Sequence, residues 1–390
     1  MASWVAMDEA CRLLGVRPQT VYAYVSRGKL EVMPDPADSR RSLYRAEDIA
    51  ALARRKQAGR KHETLAANAL FGAEPSIPTA LCTFVRGRPY YRGQDVIGLA
   101  RSATVEEVAQ LLWGAVQAVD FSVAPAAREG KAGRVAAFTG LAALAATGHS
   151  TRGRLTRVLH TEGQGLVGQL ATAFGARPGR QPLHTRFAQG WRQPAEVAGL
   201  LRTALVLLVD HELTSSAFAA RIAASTGASL PACLLAGLTT LSGPLHGDAS
   251  GRVQALIDEV ERSGDDEVVA RYLSTGSPLA GFGHHLYPDG DPRAAALLAL
   301  FEPPPVIARF IRNVTHHTGL QPNIDVALAA LVSHCRLPAD AAFGLFATAR
   351  SVGLLAHSLE QLGTAEVIRP RGRYVGPLPD AGPGARPPAP

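Results

Sequence analysis

Cysteine is scarce in this chain, and its four copies are scattered. Cys11, Cys82, Cys233 and Cys335 form no CxxC pair. That spacing argues against a zinc framework and a disulfide scaffold, and it fits reduced thiols in a cytoplasmic protein. No metal is expected. Aromatic residues make up only 6% of the sequence, while alanine and leucine are frequent, a balance that favours helices over strands. No run of about 18 uncharged apolar residues occurs, so no membrane-spanning helix is expected. Asp8, Glu9 and Arg12 come before any apolar stretch develops, which is not the pattern of a secretory leader. Internal repeats and a phosphate-cradling P-loop are also missing.

What is present is a 390-residue chain, 47% hydrophobic, with a formal charge of +7. It is long enough to bury a large core in two or three domains. Its modest positive charge suits anionic ligands, nucleic acid or simply a basic surface.

Residues 1–62 read as a small domain of their own. Met7 to Leu14 is a short helix with Ala10, Leu13 and Leu14 on one face. Gly15-Val16 is a turn. Gln19 to Val25 is a second helix, with Pro18 at its start, where a missing N–H costs nothing. Val21 and Val25 face inward at i, i+4, leaving Arg17, Gln19, Thr20 and Tyr24 for a groove. The extended segment Ser39–Arg45 carries Arg40, Arg41 and Arg45, and Ala46–Ile49 begins another helix. Lys and Arg number 12 in residues 1–62 against 7 Asp and Glu, with a basic run at Arg54, Arg55, Lys56, Arg60 and Lys61. Helix, turn, helix and basic wing together point to DNA. The competing reading is a helical protein-interaction or dimerisation module.

Residues 63–76 read as a linker. From Val105 to Val269 the pattern is mostly helical, broken by turns at Ala176–Gln181 and Gly243–Gly251. Asp120–Gly133 reads as a loop, Val197–Val209 as a buried helix, and Pro303-Pro304-Pro305 as a break. The tail 377–390 is mainly Pro, Gly and Ala, too little surface to order itself.

Two glycine-framed histidines carry the chemistry. His246 lies in Gly243-Pro244-Leu245-His246-Gly247. His284 ends Gly281-Phe282-Gly283-His284 and is followed by Asp291-Pro292-Arg293; Asp325 follows in Pro322-Asn323-Ile324-Asp325. Two imidazoles, a guanidinium and a carboxylate suffice to deprotonate a carbon acid and hold an anionic acceptor. Glycine beside each histidine permits close approach of backbone and substrate. Any one of these histidines alone reads more simply as a hydrogen-bonded core or turn residue. The ordered set does not.

These segments resemble the citrate synthase family. So do Tyr91-Arg92-Gly93-Gln94-Asp95-Val96, Thr104 to Trp113, Asp210-His211-Glu212-Leu213 with Ser216 to Arg221, Phe346 to Gly353, and Ile368-Arg369-Pro370-Arg371. The likeness runs over roughly residues 75–376. It implies an all-α, two-lobed fold over residues 77–376, with a small lobe at roughly 250–350. The front domain resembles MerR-type and excisionase-like DNA-binding domains, so a winged helix-turn-helix precedes that fold. The resemblance implies that Asp325 is the base, that His246 donates to the thioester oxygen, and that His284 serves the ketone of the acceptor. It further implies that Arg293, Arg350 and Arg369 hold the carboxylates with help from His211. Arg369 would reach into the other subunit of a homodimer. Acetyl-CoA or propionyl-CoA would be the co-substrate, oxaloacetate the acceptor, and no cofactor would be permanently bound.

The chain departs from the family pattern in several places. Asp248-Ala249-Ser250 follows Gly247 where Gly-Ala-Asn is common, and a carboxylate close to His246 raises an imidazole's pKa. His285 stands where arginine is common, Pro288 where a basic residue linked to the CoA phosphates is common, and Leu208 where another histidine is common. Val326 to Ala330 lacks the Tyr-Ser-Gly type of sequence. The readings that remain are a citrate synthase, a 2-methylcitrate synthase, and a DNA-binding regulator that uses this domain as a metabolite sensor. A dicarboxylate sensor would need the arginines but not Asp325.

Overall fold

Between Ala341 and Leu362 nearly every side chain is apolar or small, so this stretch has no polar face to offer to solvent. It forms a 22-residue helix buried along almost its whole length, as expected of a helix that is apolar all round. The computed structural model that shows this describes residues 4–14, 16, 18–26, 29–36, 38–50, 52, 77–124, 132–364, 366–370 and 376. Arg17, the run from Arg54 to Lys61, residues 63–76 and the tail 377–390 lie outside the described residues. So do the side chains of Gln19 and Arg40, and much of the expected loop at Asp120–Gly133. The chain divides into two units, residues 1–77 with 369–390 and residues 78–368.

The front unit has the helices Met7–Leu14 and Pro18–Ser26 in succession. A three-stranded antiparallel sheet completes it, with Asp38–Arg45 in the middle, Trp4–Ala6 on one side and Val32–Asp35 on the other. Ala10, Leu14, Val21, Leu30, Tyr44 and Ile49 form the core. Leu13 does not join it and is 48% exposed. Ala10 and Leu14 are one helical turn apart, whereas Leu13 is rotated about 100° from Leu14, and an eight-residue helix buries only a narrow stripe. Tyr24, expected to face a groove, packs partly against this core. Tyr22, which the sequence reading passed over, is 59% exposed on the same helix.

The large unit is helical apart from a small antiparallel sheet of Cys82–Val85, Arg88–Tyr91 and Gln94–Asp95. Polar caps punctuate its helices. Thr104 and Glu107 form a reciprocal capping box at Val105–Trp113, and Asn323 caps Ile324–Cys335. The leucine-rich stretch forms the helix Ala195–Leu208, buried from Thr203 onward. The turn expected at Gly243–Gly251 ends sooner, because the helix Ala249–Ser263 already includes Ala249, Ser250 and Gly251.

Two cores organise this unit. The larger gathers Leu201, Leu205, Leu238 and Phe343 with many others. The smaller is built from Val253, Leu256, Ile257, Val268, Phe282, Phe310 and neighbours. Helix Ile324–Cys335 belongs to both. It gives Ile324, Ala327, Leu328, Leu331, Val332 and Cys335 to the larger core and Val326, Ala329 and Ala330 to the smaller. The uninterrupted apolar sequence after Asp325 has its cause here: from Val326 to Val332 every residue of this helix is buried.

Candidate active site

Asp325 stands in the first turn of that shared helix, where the N-terminal dipole favours negative charge. Its backbone N–H donates to Asn323 Oδ1 at 2.9 Å. Its own Oδ1 is buried without a hydrogen-bond partner. Burial pushes the carboxyl up to about 6; Asp291 adds to the rise, and Arg293 and Arg350 oppose it. A carboxyl poised there is ionised at neutral pH and still basic enough to accept a proton.

Arg293 and Asp291 form a fork within the Asp-Pro-Arg turn. Arg293 Nε and Nη2 donate to Asp291 Oδ1 and Oδ2 at 3.0 and 2.8 Å, with both residues buried. Asp291 also accepts from the backbone N–H of Arg293 and, at 3.0 Å, from that of Ile324. It therefore ties the start of helix Pro292–Leu298 to the start of helix Ile324–Cys335 and keeps Arg293 beside Asp325. Expected as a plain ligand for the acceptor, Arg293 is thus half committed to an internal carboxylate; Nη1 lies outside that fork.

Arg350 is 1% exposed in the middle of the long buried helix. Its Nε donates to the carbonyl of Leu208 at 3.1 Å, and its guanidinium lies 4.9 Å from the centre of the Phe346 ring. At position 208 the carbonyl does the holding, so leucine in place of histidine leaves this contact intact. Its charge lowers the basicity of His246, His211 and Asp325, which puts these four groups in one electrostatic neighbourhood.

His211 is buried, with Nε2 at 3.0 Å from the Tyr287 hydroxyl. Its ring centre is 5.1 Å from that of His284. Burial holds His211 well below the usual imidazole range, with Arg293 and Arg350 adding to the effect. At His284, Nδ1 accepts from the Leu286 N–H at 3.1 Å. Burial, reinforced by Arg293, lowers this group to about 4. A neutral ring that accepts at Nδ1 carries its proton on Nε2, so Nε2–H is a fixed donor. His246 pairs through Nε2 with Ser216 Oγ at 2.8 Å. Burial and then Arg350 bring it to about 4. Both imidazoles are neutral over the physiological range.

Asp248 does not act on His246 as the sequence suggested. Its carboxylate is gripped by Arg134, with Nη1–Oδ2 at 2.8 Å and Nη2–Oδ1 at 2.6 Å. Two of the motif glycines sit where the chain packs closely. A Cβ on Gly247 would fall 2.4 Å from Leu241 Cδ1, and one on Gly281, whose φ is +85°, would fall 2.5 Å from Val326 Cγ2. Both glycines let the chain pack against itself.

Behind the site lies a buried polar chain. Arg221 pairs with Glu360 and donates through Nε to His357 Nδ1 at 2.9 Å. His357 Nε2 therefore carries the proton and donates to Asp210 Oδ1 at 3.2 Å. Asp210 is the neighbour of His211, and its carbonyl accepts from the Tyr91 hydroxyl at 3.1 Å. His285 stacks on His284 at 4.8 Å. Sequence reasoning had not singled out Ser216, Tyr287 or His357 as contacts. Tyr287 sits between His284 and Asp291 in the most informative segment, which is the one signal that pointed to it. Arg369 is exposed, one residue beyond Ile368, whose N–H donates to Ser225 Oγ.

The citrate synthase C-terminal domain profile matches residues 125–371. The chain belongs to the citrate synthase family. A helix-turn-helix domain profile matches residues 4–57, so a helix-turn-helix domain precedes the family domain. A putative citrate synthase 2 of Mycobacterium tuberculosis is 37% identical over 187 residues, 45% of this chain and 50% of that protein. The chain spans about half the length of the curated relatives it matches. The crystal structure of citrate synthase from Thermotoga maritima superposes with a TM-score of 0.67 at 25% identity, over 80% of this chain and 96% of that one. The citrate synthase of Thermoplasma acidophilum, in ternary complex with carboxymethyl coenzyme A and oxaloacetate, does so at 22% identity, also with a TM-score of 0.67, over 81% and 97%. The winged helix-turn-helix and the mostly helical citrate synthase fold expected from the sequence are thus both found. Among the described residues no helix is long and apolar enough to cross a membrane, and no group of three or more His, Cys, Asp or Glu is placed to hold a metal ion.

Proposed function

We propose that this citrate synthase family member condenses acetyl-CoA with oxaloacetate and water to give citrate and CoA. Asp325 takes the methyl proton of the acyl group. His246 donates to the thioester oxygen as it gains enolate character, the electrostatic help that a weakly acidic C–H requires. The new C–C bond forms at the acceptor ketone, whose oxygen takes a proton from His284 Nε2. Water then cleaves the thioester. Arg350, the free edge of Arg293 and His211 hold the dianion, since guanidinium remains charged when buried and matches carboxylate geometry. Propionyl-CoA as donor, giving 2-methylcitrate, is the close alternative, because one methylene is worth only about 1–3 kcal/mol of discrimination.

One observation carries this reading over a non-catalytic dicarboxylate sensor. The Asp325 Oδ1 is buried, unsatisfied and raised to about 6, an expense that a sensor has no use for. Thiol release from acetyl-CoA in the presence of oxaloacetate tests it. Absence of oxaloacetate-dependent thiol release from folded protein would leave the sensor.

The family domain is assigned to 77–376, with its small lobe around the second core, after a front domain at 1–62 and a linker at 63–76. A homodimer sharing Arg369 is part of the proposal. Val135, Leu155 and Val158 are 56, 55 and 42% exposed on the large unit, apolar surface that a second copy would cover. Mixing inactive Arg369→Ala chains with inactive Asp325→Ala chains should restore activity, because each mixed dimer has one site with neither lesion. No recovery despite proven subunit exchange would contradict a shared site.

A second role, DNA binding, is supported by the helix-turn-helix match and by Tyr22 standing exposed on the second helix. Arg41 is largely exposed and meets Asp38 at 3.3 Å. Arg45 is engaged by Glu31 at 2.7 Å and Glu47 at 3.1 Å, which makes it the weaker candidate for a phosphate. Thr20 is half-buried. Affinity for a promoter-length duplex should fall steeply as salt rises, and deletion of residues 1–62 should abolish it. Equal weak binding by both forms would assign residues 1–62 to protein contacts.

A further inference from the structure

Asp248 is an unusual residue to find two positions from His246. A free carboxylate there would favour the imidazolium, and an imidazolium is a different catalyst from a neutral donor. The structure handles this carboxylate in a specific way. Arg134, the first residue of helix Arg134–Thr147, meets it with both terminal nitrogens, at 2.6 and 2.8 Å. The pair is largely withdrawn from solvent, with side-chain exposures of 35 and 24%. The guanidinium lies 3.9 Å from the centre of the Phe343 ring, and its Nε is 3.5 Å from Asp340. Asp248 precedes helix Ala249–Ser263 and Asp340 precedes helix Ala341–Leu362. One side chain thus joins the starts of three helices.

Those helices belong to different cores. Ala137 and Leu141 of the first and Phe343 of the third pack in the larger core. Val253, Leu256, Ile257 and Val260 of the second pack in the smaller. The segment Gly243–Asp248, which carries His246, leads from helix Leu230–Leu241, whose Leu234, Leu238 and Leu241 pack in the larger core, into helix Ala249–Ser263 of the smaller. Its backbone is also tied back to the end of the preceding helix by the Gly247 N–H, which donates to the Leu241 carbonyl at 2.9 Å. From the elements packed around it, His246 is met by the Ser216 hydroxyl of helix Ser215–Ser225 and by the charge of Arg350 of helix Ala341–Leu362. On its own segment the charged group is Asp248.

We propose that Arg134 is a positioning residue for His246. By clamping Asp248 it anchors the His246 segment across both lobes and keeps that carboxylate turned away from the imidazole. The inference rests on the reading of His246 as the neutral donor to the thioester oxygen. It predicts a definite interplay between two residues outside the substrate-contacting set. Removing Arg134 frees the Asp248 side chain two residues from His246, and replacing Asp248 with an amide as well cancels the effect.

The test is an NMR titration of ring-labelled histidine in the full chain, with His246→Gln identifying the resonance. Four proteins are compared: wild type, Arg134→Ala, Asp248→Asn and Arg134→Ala/Asp248→Asn. In Arg134→Ala the His246 midpoint should move up by about one pH unit or more. In Asp248→Asn and in the double variant it should stay near that of wild type. A merely structural role for Arg134 would lower the melting temperature of both variants that lack it but move neither midpoint. An unchanged midpoint in folded Arg134→Ala would overturn the proposal. If Arg134→Ala does not fold, Arg134→Gln, which keeps a long stem over Phe343 and loses the charge, carries the same readout. Thiol release is measured alongside. The acidic limb of activity should move up in the single Arg134 variant and return in the double. A midpoint that moves in a protein without turnover would uphold the clamp and sink the condensation reading. Normal turnover with an unmoved midpoint would do the reverse.

Discussion

Asp325→Asn is expected to lose condensation activity by about 10²–10⁴-fold, the usual worth of a positioned general base, while binding oxaloacetate within a few-fold of wild type. The acceptor meets arginines and histidines, and the base meets the donor. The same substitution should make the protein more stable at neutral pH. Burial holds the Asp325 carboxyl at about 6 in the folded chain, above its ordinary 3.8. Between those values the folded state binds more protons than the unfolded, so stability falls as pH rises through that window. Above pH 6 the wild type bears the whole cost of an ionised, unsatisfied carboxylate. Asparagine removes it, and the gain should be about 1–3 kcal/mol near pH 7, vanishing below pH 4 where both forms are neutral. Thermal melts at pH 7 and pH 3.5 check the sign. A variant that is less stable at pH 7, or that turns over at nearly the wild-type rate, would remove Asp325 from this role. Wild-type activity should decline below pH 6 for the same reason, since His246 and His284 are neutral down to about 4.

The second large effect separates two arginines that sequence treats alike. Arg350→Ala should weaken oxaloacetate binding by about 2–5 kcal/mol, with the fold retained. Its guanidinium is held by a carbonyl and a ring rather than by a dedicated carboxylate fork. Arg293→Ala should first damage the fold, because it strands the buried Asp291 carboxylate; breaking such a pair costs about 3–5 kcal/mol. Asp291→Asn together with Arg293→Ala should recover much of that stability and none of the affinity. Calorimetric titration with oxaloacetate and melting curves on the three proteins distinguish the cases. Equal acceptor affinity in wild type and Arg350→Ala would sink the assignment of this pocket.

Much of this was legible from the residues, and what was not has physical causes. Helix and turn boundaries followed from capping residues and apolar spacing, as at Pro18 and along Ala195–Leu208. The ordered motifs around His246, His284 and Asp325 pointed to one cluster, because such groups are seldom spaced that way by chance. What the sequence hid were partnerships across long separations. Nothing near Asp248 announces that Arg134 holds it from 114 positions away. Nothing near His211 announces the chain through Asp210 and His357 to Arg221. What the glycines meet was hidden for a similar reason: their neighbours, Leu241 and Val326, belong to surfaces that exist only once the chain has packed. Leu13 and Tyr24 show the opposite limit, since a short helix has too few turns for its pattern to fix which face is inside.

The helix that carries Asp325 gives six residues to one core and three to the other. Neither lobe can melt while keeping it, and neither can keep it alone. Amide protons in the middle of this helix, around Ala327 to Leu331, should therefore exchange with solvent only through opening of the whole large unit, among the slowest in the chain. The group that does the proton transfer thus rides on the element shared by both halves, and a weakness introduced in either one reaches it as a loss of global stability.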